Sequence, residues 1–125
     1  MSEENRDALS VVLEHLYCWN MKDLEGFTSF LADNVVNEFV GPKGTTIQGK
    51  SMLKNLCQPL FADPKNTISI WRYVVDGNQV AVACVREGTD PKTGEVKLVD
   101  EADVFEVSDG KIQKVTSYIF EERFF

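Results

Sequence analysis

The feature that most constrains this chain is a pair of long β-type runs at residues 99–120, VDEADVFEVSDGKIQKVTSYIF. The runs are joined by Ser108-Asp109-Gly110, a turn in which Gly110 can adopt a positive φ without steric cost. Because side chains alternate along a strand, five residues of the first run share one face. They are Val99, Glu101, Asp103, Phe105 and Val107. Two carboxylates thus lie among hydrophobic side chains, where desolvation would raise a pKa. This face is either a site or a solvated rim.

Along the rest of the chain, the residue pattern is mainly helical up to residue 61 and β-type afterwards. The predicted helices cover residues 3–19, 24–31 and 50–61. The predicted strands cover residues 35–40, 67–75, 80–88, 95–107 and 111–120. Short Gly-containing turns between the last four strands indicate an antiparallel meander. We therefore expect one α+β domain over residues 1–125, with three N-terminal helices on one face of a curled antiparallel sheet.

Composition and charge exclude several classes of function. The net charge is −7, and no basic cluster offsets it, so we expect no nucleic-acid partner. No apolar run approaches a membrane span, and the start MSEE is the reverse of a basic signal peptide. We therefore expect no membrane partner and a cytoplasmic location. Cys18, Cys57 and Cys84 lie in apolar stretches, which predicts buried reduced thiols. With a single histidine and no CxxC or HxxxH spacing, we expect no metal site.

The segment from Gly44 to Ser51, GTTIQGKS, matches the phosphate-loop pattern GxxxxGK[ST]. A phosphate cradle needs successive backbone N–H groups that converge on the anion, whereas the interior Thr-Thr-Ile-Gln favours extended backbone. Such loops also belong to parallel βαβ sheets, and the strands after Phe61 are predicted to be antiparallel. We therefore interpret the segment as a turn, an extended stretch and a helix start at Gly49. P-loop nucleotide binding stays a minor alternative.

Residues 11–120 resemble the SnoaL-like branch of the nuclear transport factor 2-like superfamily, which includes ketosteroid isomerases, polyketide cyclases and limonene epoxide hydrolases. The motifs that carry the resemblance are WNMKDLEGF (19–27), LADNVV (31–36), Gly49-Lys50 at a helix start, DVFEV (103–107) and DGKI (109–112). The resemblance implies a cone-like half-barrel of curved sheet closed by the helices, a deep apolar pocket and frequent homodimers.

The resemblance also assigns isomerase chemistry to some positions. Asp103 falls where ketosteroid isomerases keep a protonated aspartic acid that donates to the substrate oxyanion. His15 falls where they carry the partner tyrosine donor. Phe39 stands in place of their general-base aspartate, and the neighbouring Glu38 faces the other way. The isomerase set is therefore incomplete.

The epoxide hydrolase set is incomplete too. Arg86 matches the central arginine of those enzymes. Gly88 and Ser117 correspond to its two flanking aspartates, and Asn37 and Phe39 correspond to their tyrosine and asparagine.

The alternation of the strands turns one set of side chains toward a common interior. The predicted pocket residues are His15, Trp19, Asn37, Phe39, Val82, Cys84, Arg86, Glu101, Asp103, Phe105, Val115, Ser117 and Ile119. Asp103 in this environment would have a raised pKa and could donate as a neutral acid. His15 could act as donor or general base. Arg86 could orient an acidic group, or balance Glu101 at the rim of the pocket.

Each of these residues also has a structural interpretation. A lone histidine on an apolar helix is often a packed, hydrogen-bonded residue, and Arg86 with Glu101 is equally a cross-strand ion pair. Asp103 belongs to a strand pattern that recurs in the family. Cys18 lies three residues after His15, so a Cys–His nucleophile is a further alternative, although no orienting third group is evident.

Our leading functional hypothesis is a cofactor-independent isomerase, cyclase or dehydratase that acts on a small apolar carbonyl or hydroxyl compound. Asp103 and His15 would be catalytic, and Asn37 and Arg86 would position the substrate. The second hypothesis is a non-catalytic homodimer that binds a ligand or serves as a scaffold.

The opposite face of the sheet predicts how such a homodimer would form. That face carries Val104, Thr116, Tyr118 and Phe120, and the aromatic tail that ends at Phe125 follows. Such side chains are costly to leave in water, so we expect a two-fold interface there. The alternative is a tail folded back onto the helices of its own chain.

Overall fold

The computed structural model describes residues 3–42 and 44–124, and it confirms an α+β chain in which the helices precede the meander. The helices are α1 (Glu3–Asn20), α2 (Leu24–Ser29) and α3 (Lys50–Phe61). The strands are β1 (Leu31–Val40), β2 (Thr45–Gln48), β3 (Thr67–Asp76), β4 (Gln79–Thr89), β5 (Val96–Ser108) and β6 (Lys111–Phe124).

The six strands form one sheet in the order β2-β1-β6-β5-β4-β3. The meander from β3 to β6 is antiparallel, as predicted. The prediction of a wholly antiparallel sheet is wrong at one place, because β1 lies parallel to β6, with Asn37 opposite Val115. Short turns dictate antiparallel neighbours, but β1 and β6 are far apart in sequence and no turn constrains their direction. The sheet is mixed and unclosed, and its described edge strands are β2 and β3.

Two element ends also differ from the prediction. Leu31 was expected at the end of a helix, but α2 ends at Ser29 and Leu31 is the first residue of β1. The last strand continues beyond residue 120, because Phe124 pairs with Lys97. The alternative of a tail folded back onto the helices is therefore wrong for the described residues of β6, and Phe125 lies outside them.

Local turn and cap chemistry fixes the other boundaries. Ser108 pairs with Lys111, and the two residues between them have positive φ, 55° at Asp109 and 72° at Gly110. This is the two-residue hairpin that a right-twisted strand pair favours. The side chain of Asp23 accepts a hydrogen bond from the Gly26 backbone N–H at 2.9 Å and so caps the start of α2.

The core lies between the helices and the concave face of the sheet. It joins Val12, Leu16 and Trp19 of α1 to inward residues of the strands, such as Val82 and Phe105. Each of these side chains is at least nine-tenths buried. Among residues 3–42 and 44–124, no helix has the length and apolar character needed to cross a bilayer.

Candidate functional site

A cavity of about 120 Å³ lies between α1–α3 and the concave face of the sheet. The predicted site residues in its lining are His15, Trp19, Asn37, Phe39, Arg86, Glu101, Asp103, Phe105, Val115 and Ser117. Helix α3 supplies part of the opposite wall through Leu53, Leu56 and Cys57. Leu56 is 46% exposed and also lines the neighbouring pocket, so it lies at the edge of this cavity. The cavity is therefore a mostly apolar chamber with a few polar groups on the sheet side.

His15 is held rigidly on α1. Its ring stacks on Phe27 with centroids 3.8 Å apart, and its Nδ1 lies 2.8 Å from the Phe27 carbonyl oxygen. Because that carbonyl oxygen can only accept, Nδ1 carries the proton and Nε2 of the neutral ring keeps a lone pair. Burial lowers the pKa of His15 to about 4, although the hydrogen bond to Phe27 acts in the opposite direction. His15 is thus neutral at physiological pH and offers an acceptor.

Asp103 has a buried side-chain oxygen whose hydrogen bonding is unsatisfied. It is 8% exposed, and its Oδ1 is buried without a hydrogen-bond partner among the described residues. Burial, followed by the charge of Glu101 and a side-chain hydrogen bond to it, raises the pKa of Asp103 well above the usual range, and the Ser117 hydroxyl opposes the shift. A buried carboxyl beside a second carboxylate keeps its proton. Burial and the neighbouring carboxylate therefore favour the protonated, neutral form of Asp103.

Glu101 and Arg86 form the cross-strand ion pair considered above. Arg86 Nε donates to Glu101 Oε1 at 3.0 Å. Glu101 is 7% exposed, so its expected place at a solvated rim is wrong. Arg86 balances its charge there, and the Arg86 side chain remains 27% exposed.

Asn37 is fixed by its neighbours on β6. Its Nδ2 donates to the Val115 carbonyl oxygen at 3.3 Å and to Ser117 Oγ at 3.2 Å. These contacts cross the parallel β1–β6 pairing, so the strand arrangement missed from the sequence is what positions this amide.

Three predicted pocket residues lie elsewhere. Val82 and Cys84 are fully buried in the core and do not belong to the lining of the 120 Å³ cavity. Ile119 lines a second, outer pocket of about 550 Å³. Phe39, Leu56 and Arg86 line both spaces. Sequence reasoning missed the outer pocket, although Ile47 in the extended stretch before α3 is an apolar signal for it.

The thiols show little sign of nucleophilic activation. Partial burial, followed by the negative charges of Asp23 and Glu14, raises the pKa of Cys18. Burial raises the pKa of Cys57 to about 11. Because the thiolate is the nucleophile, these shifts oppose a Cys–His mechanism.

One group of possible metal ligands occurs within the described part of the chain. Ligand atoms of Cys84, Glu101 and Asp103 lie within 4.8 Å of one another. Burial raises the pKa of the Cys84 thiol, and the neighbouring carboxyl groups of Asp103 and Glu101 act in the same direction. Since Asp103 also keeps its proton and Arg86 already balances Glu101, these groups do not fit a cation well.

The phosphate-loop pattern is extended backbone here. Its interior residues form β2 and pair with β1, with Ile47 opposite Asn37 and Gln48 opposite Val36. Helix α3 then begins at Lys50 after Gly49, whose φ is 92°. A strand that pairs in a ladder cannot also turn successive N–H groups onto one phosphate.

Residues 12–115 match the model of the SnoaL-like domain family. No curated protein sequence matches the chain.

Several solved structures share this fold. The epoxide hydrolase/cyclase-like enzyme SalBIII is 20% identical, with a TM-score of 0.86 over 99% of this chain and 100% of the other. RV0760c from Mycobacterium tuberculosis, solved with estradiol-17beta-hemisuccinate, is 22% identical, with a TM-score of 0.81 over 94% and 98%. An LEH-like epoxide hydrolase of the same organism is 23% identical, with a TM-score of 0.79 over 94% and 85%. At these identities, the likeness shows the fold alone.

Proposed function

This chain belongs to the SnoaL-like domain family, and we propose that it is a cofactor-independent acid–base enzyme acting on a small apolar carbonyl or hydroxyl compound. The observation that carries the proposal is the buried, unpartnered Oδ1 of Asp103 in the wall of an apolar cavity. Buried polar atoms almost always have a partner, so a partnerless one invites a ligand oxygen. Isomerisation, cyclisation and dehydration all need that kind of contact.

Asp103 is the proposed acid. Asp103 is kept neutral by burial and by Glu101, and its carboxyl has a single O–H. With that proton on the unpartnered Oδ1 rather than directed to Glu101, it donates a hydrogen bond to a substrate oxygen and stabilises the charge that develops there. The apolar surroundings strengthen this hydrogen bond, because no bulk water competes for it.

His15 is the proposed acceptor and base. Its Nδ1–H is committed to Phe27, so Nε2 is the atom that can accept a substrate proton. A pKa of about 4 makes it a weak base. It can therefore remove only a proton that is already acidic. A proton α to a carbonyl becomes acidic in this way when Asp103 donates a hydrogen bond to the carbonyl oxygen of the same substrate.

The substrate class follows from the size and polarity of the cavity. A volume of about 120 Å³ is close to the roughly 150 Å³ at which an engineered apolar cavity binds benzene. We infer a ring-sized head with one oxygen, oriented by Asn37 and Arg86. RV0760c binds a larger steroid ester, so a larger ligand would need space beyond this cavity.

The test is exchange of α-protons of cyclopentanone and cyclohexanone in D₂O, followed by NMR. We expect the wild type to accelerate exchange and Asp103→Asn or His15→Phe to lose at least about 100-fold, the usual contribution of an acid–base group. The matched control is Asp100→Asn, which makes the same change on β5 at a carboxylate that pairs with Arg123 instead. Equal rates in the wild type and both site variants would contradict the proposal.

A second candidate is a ligand-binding or scaffold homodimer without catalysis. The small volume and the aromatic lining by Trp19, Phe39 and Phe105 favour it. It predicts that the ketones bind with no acceleration of exchange. The three free thiols agree with the cytoplasmic location expected for either candidate.

We also propose that the chain forms a homodimer through the outer sheet face. Tyr118 is 39% exposed there, and Val74 of β3 adds a side chain that is 56% exposed. Phe120, which was expected on the same face, is the extra residue where the β5–β6 pairing shifts, and it lines the outer pocket instead. Apolar exposure of this kind on one sheet face is typical of an interaction surface. A two-fold interface would cover it with an identical patch.

A further inference from the structure

The outer pocket is larger than the inner cavity, and the proposed chemistry does not use it. It has a volume of about 550 Å³ and lies between the turn after β1, strand β2 and the end of β6. Its apolar lining includes Ile47, Leu56, Ile119 and Phe120. Its volume lies within the range of ordinary ligand sites, whereas the volume of the inner cavity lies below that range.

The two spaces adjoin each other. Phe39, Leu56 and Arg86 line both of them, and Leu56 is half-exposed at the junction. A ligand whose oxygen contacts Asp103 therefore has its opposite end directed toward the outer pocket. Phe120 has no partner on β5, because the pairing between β5 and β6 shifts by one residue at this point. As a result, the apolar side chains of both Ile119 and Phe120 line the outer pocket.

The charges around the outer pocket select the chemistry of that end. The charge of Arg86 is balanced by Glu101, and Glu122 is paired with Lys97 at 3.2 Å. Glu121 has no ion-pair partner among the described residues. The surroundings are thus apolar with a residual negative charge, which disfavours an anion.

We propose that the outer pocket is a subsite for an uncharged apolar tail of the same ligand whose ring-sized head occupies the inner cavity. The proposal rests on the proposed function and deepens it. The substrate is then a cyclic carbonyl or hydroxyl compound with an alkyl-like tail at the end opposite its oxygen. This occupant is supported by the continuity of the two spaces and by the lack of an unbalanced positive charge among the described residues of the lining.

The test measures the Kd of four probes by calorimetry. They are phenol, 4-butylphenol, 2-butylphenol and 4-(4-hydroxyphenyl)butanoate. Full burial of a methylene gives about fourfold in affinity, so we expect 4-butylphenol to bind at least about tenfold more tightly than phenol. Its isomer 2-butylphenol has the same composition but holds its chain beside the hydroxyl, so it should gain less. The carboxylate probe should bind more weakly than 4-butylphenol.

Two matched variants on α3 distinguish binding in the subsite from non-specific apolar binding. Leu56→Asp should reduce the ratio of the 4-butylphenol and phenol affinities at least about threefold, since it places a charge at the junction. Met52→Asp introduces the same charge one helical turn earlier. Met52 is 57% exposed and lines neither pocket, so this variant should leave the ratio of the two affinities unchanged. Thr45→Trp fills the outer pocket at an exposed position and should also reduce the ratio.

The outcomes divide cleanly. Two results would overturn the subsite and leave the proposed function in place. In the first, phenol binds but 4-butylphenol binds no more tightly. In the second, Leu56→Asp and Met52→Asp reduce the affinity gain of 4-butylphenol equally. No binding of any probe overturns both. If 4-butylphenol binds only while it dissociates a dimer, a second copy of the chain occupies the pocket and the subsite is overturned.

Discussion

The two faces of the sheet depart from the usual distribution of polarity in opposite ways. The concave face is mostly apolar but buries Glu101 and Asp103 at 7% and 8% exposure, while the outer face leaves Tyr118 at 39% and Val74 at 56%. Buried polar groups and exposed apolar groups are the two departures from ordinary folding that carry information. Each departure costs stability, which is why we propose chemistry for the inner face and a partner for the outer face.

The first prediction, which has the largest expected effect, distinguishes His15 from Asp103 by the pH dependence of the free energy of unfolding. The folded pKa of His15 is about 4, against 6.5 in the unfolded chain, so the unfolded chain alone takes up a proton as the pH falls between these values. Stability is therefore lost from pH 6.5 toward 4, by up to about 3 kcal/mol at about 1.4 kcal/mol per pH unit.

Asp103 acts in the opposite direction. Burial and Glu101 raise its pKa, so the folded chain keeps a proton that the unfolded chain releases above about pH 4. Stability then falls as the pH rises toward the folded pKa. In urea unfolding between pH 4.5 and 6.5, Asp103→Asn should steepen the rise of stability with pH, and His15→Phe should turn it into a fall. Parallel curves for the wild type and both variants would show that neither group is buried as described.

The second prediction compares an ion pair of the site with one outside it. Breaking a buried pair by removing one partner costs about 3–5 kcal/mol, and we expect about 2 kcal/mol of coupling for Arg86 and Glu101 because the arginine is 27% exposed. For Arg123 and Asp100, whose side chains are 40% and 29% exposed, we expect below about 1 kcal/mol.

Double-mutant cycles of leucine variants, read by urea unfolding, measure both couplings. The two pairs serve as controls for each other, because both join an arginine to a carboxylate of β5 across neighbouring strands. Equal coupling energies would mean that the two environments do not differ electrostatically.

What the sequence could predict was set by short-range physics. The turn at Asp109-Gly110 and the alternation that puts Glu101 and Asp103 on one face depend on residues within a few positions, and both are confirmed. The family resemblance is confirmed as well, because its motifs are distributed over most of the chain.

What it could not predict depended on distant segments. The parallel pairing of β1 with β6 joins Asn37 to Val115 across 78 positions, and nothing local encodes it. The burial of Glu101 follows from how the helices cover its strand. The tautomer of His15 depends on the Phe27 carbonyl, twelve residues away, and therefore on how α2 packs against α1. The roles assigned to these residues remain predictions.

The third prediction has the smallest effect on folding and concerns the outer face. Val74 is 56% exposed, so Val74→Ser should change the free energy of unfolding of the monomer by less than about 1 kcal/mol. In a dimer built on this face, the same change removes buried apolar area from both subunits, because a two-fold axis presents it twice. Sedimentation at increasing concentration should therefore show a weakened dimer. Tyr17→Ser, at a residue of α1 that is 63% exposed, is the control that should leave the mass unchanged. If the wild type stays monomeric at every concentration, the homodimer is excluded, and the apolar outer face then needs a different partner.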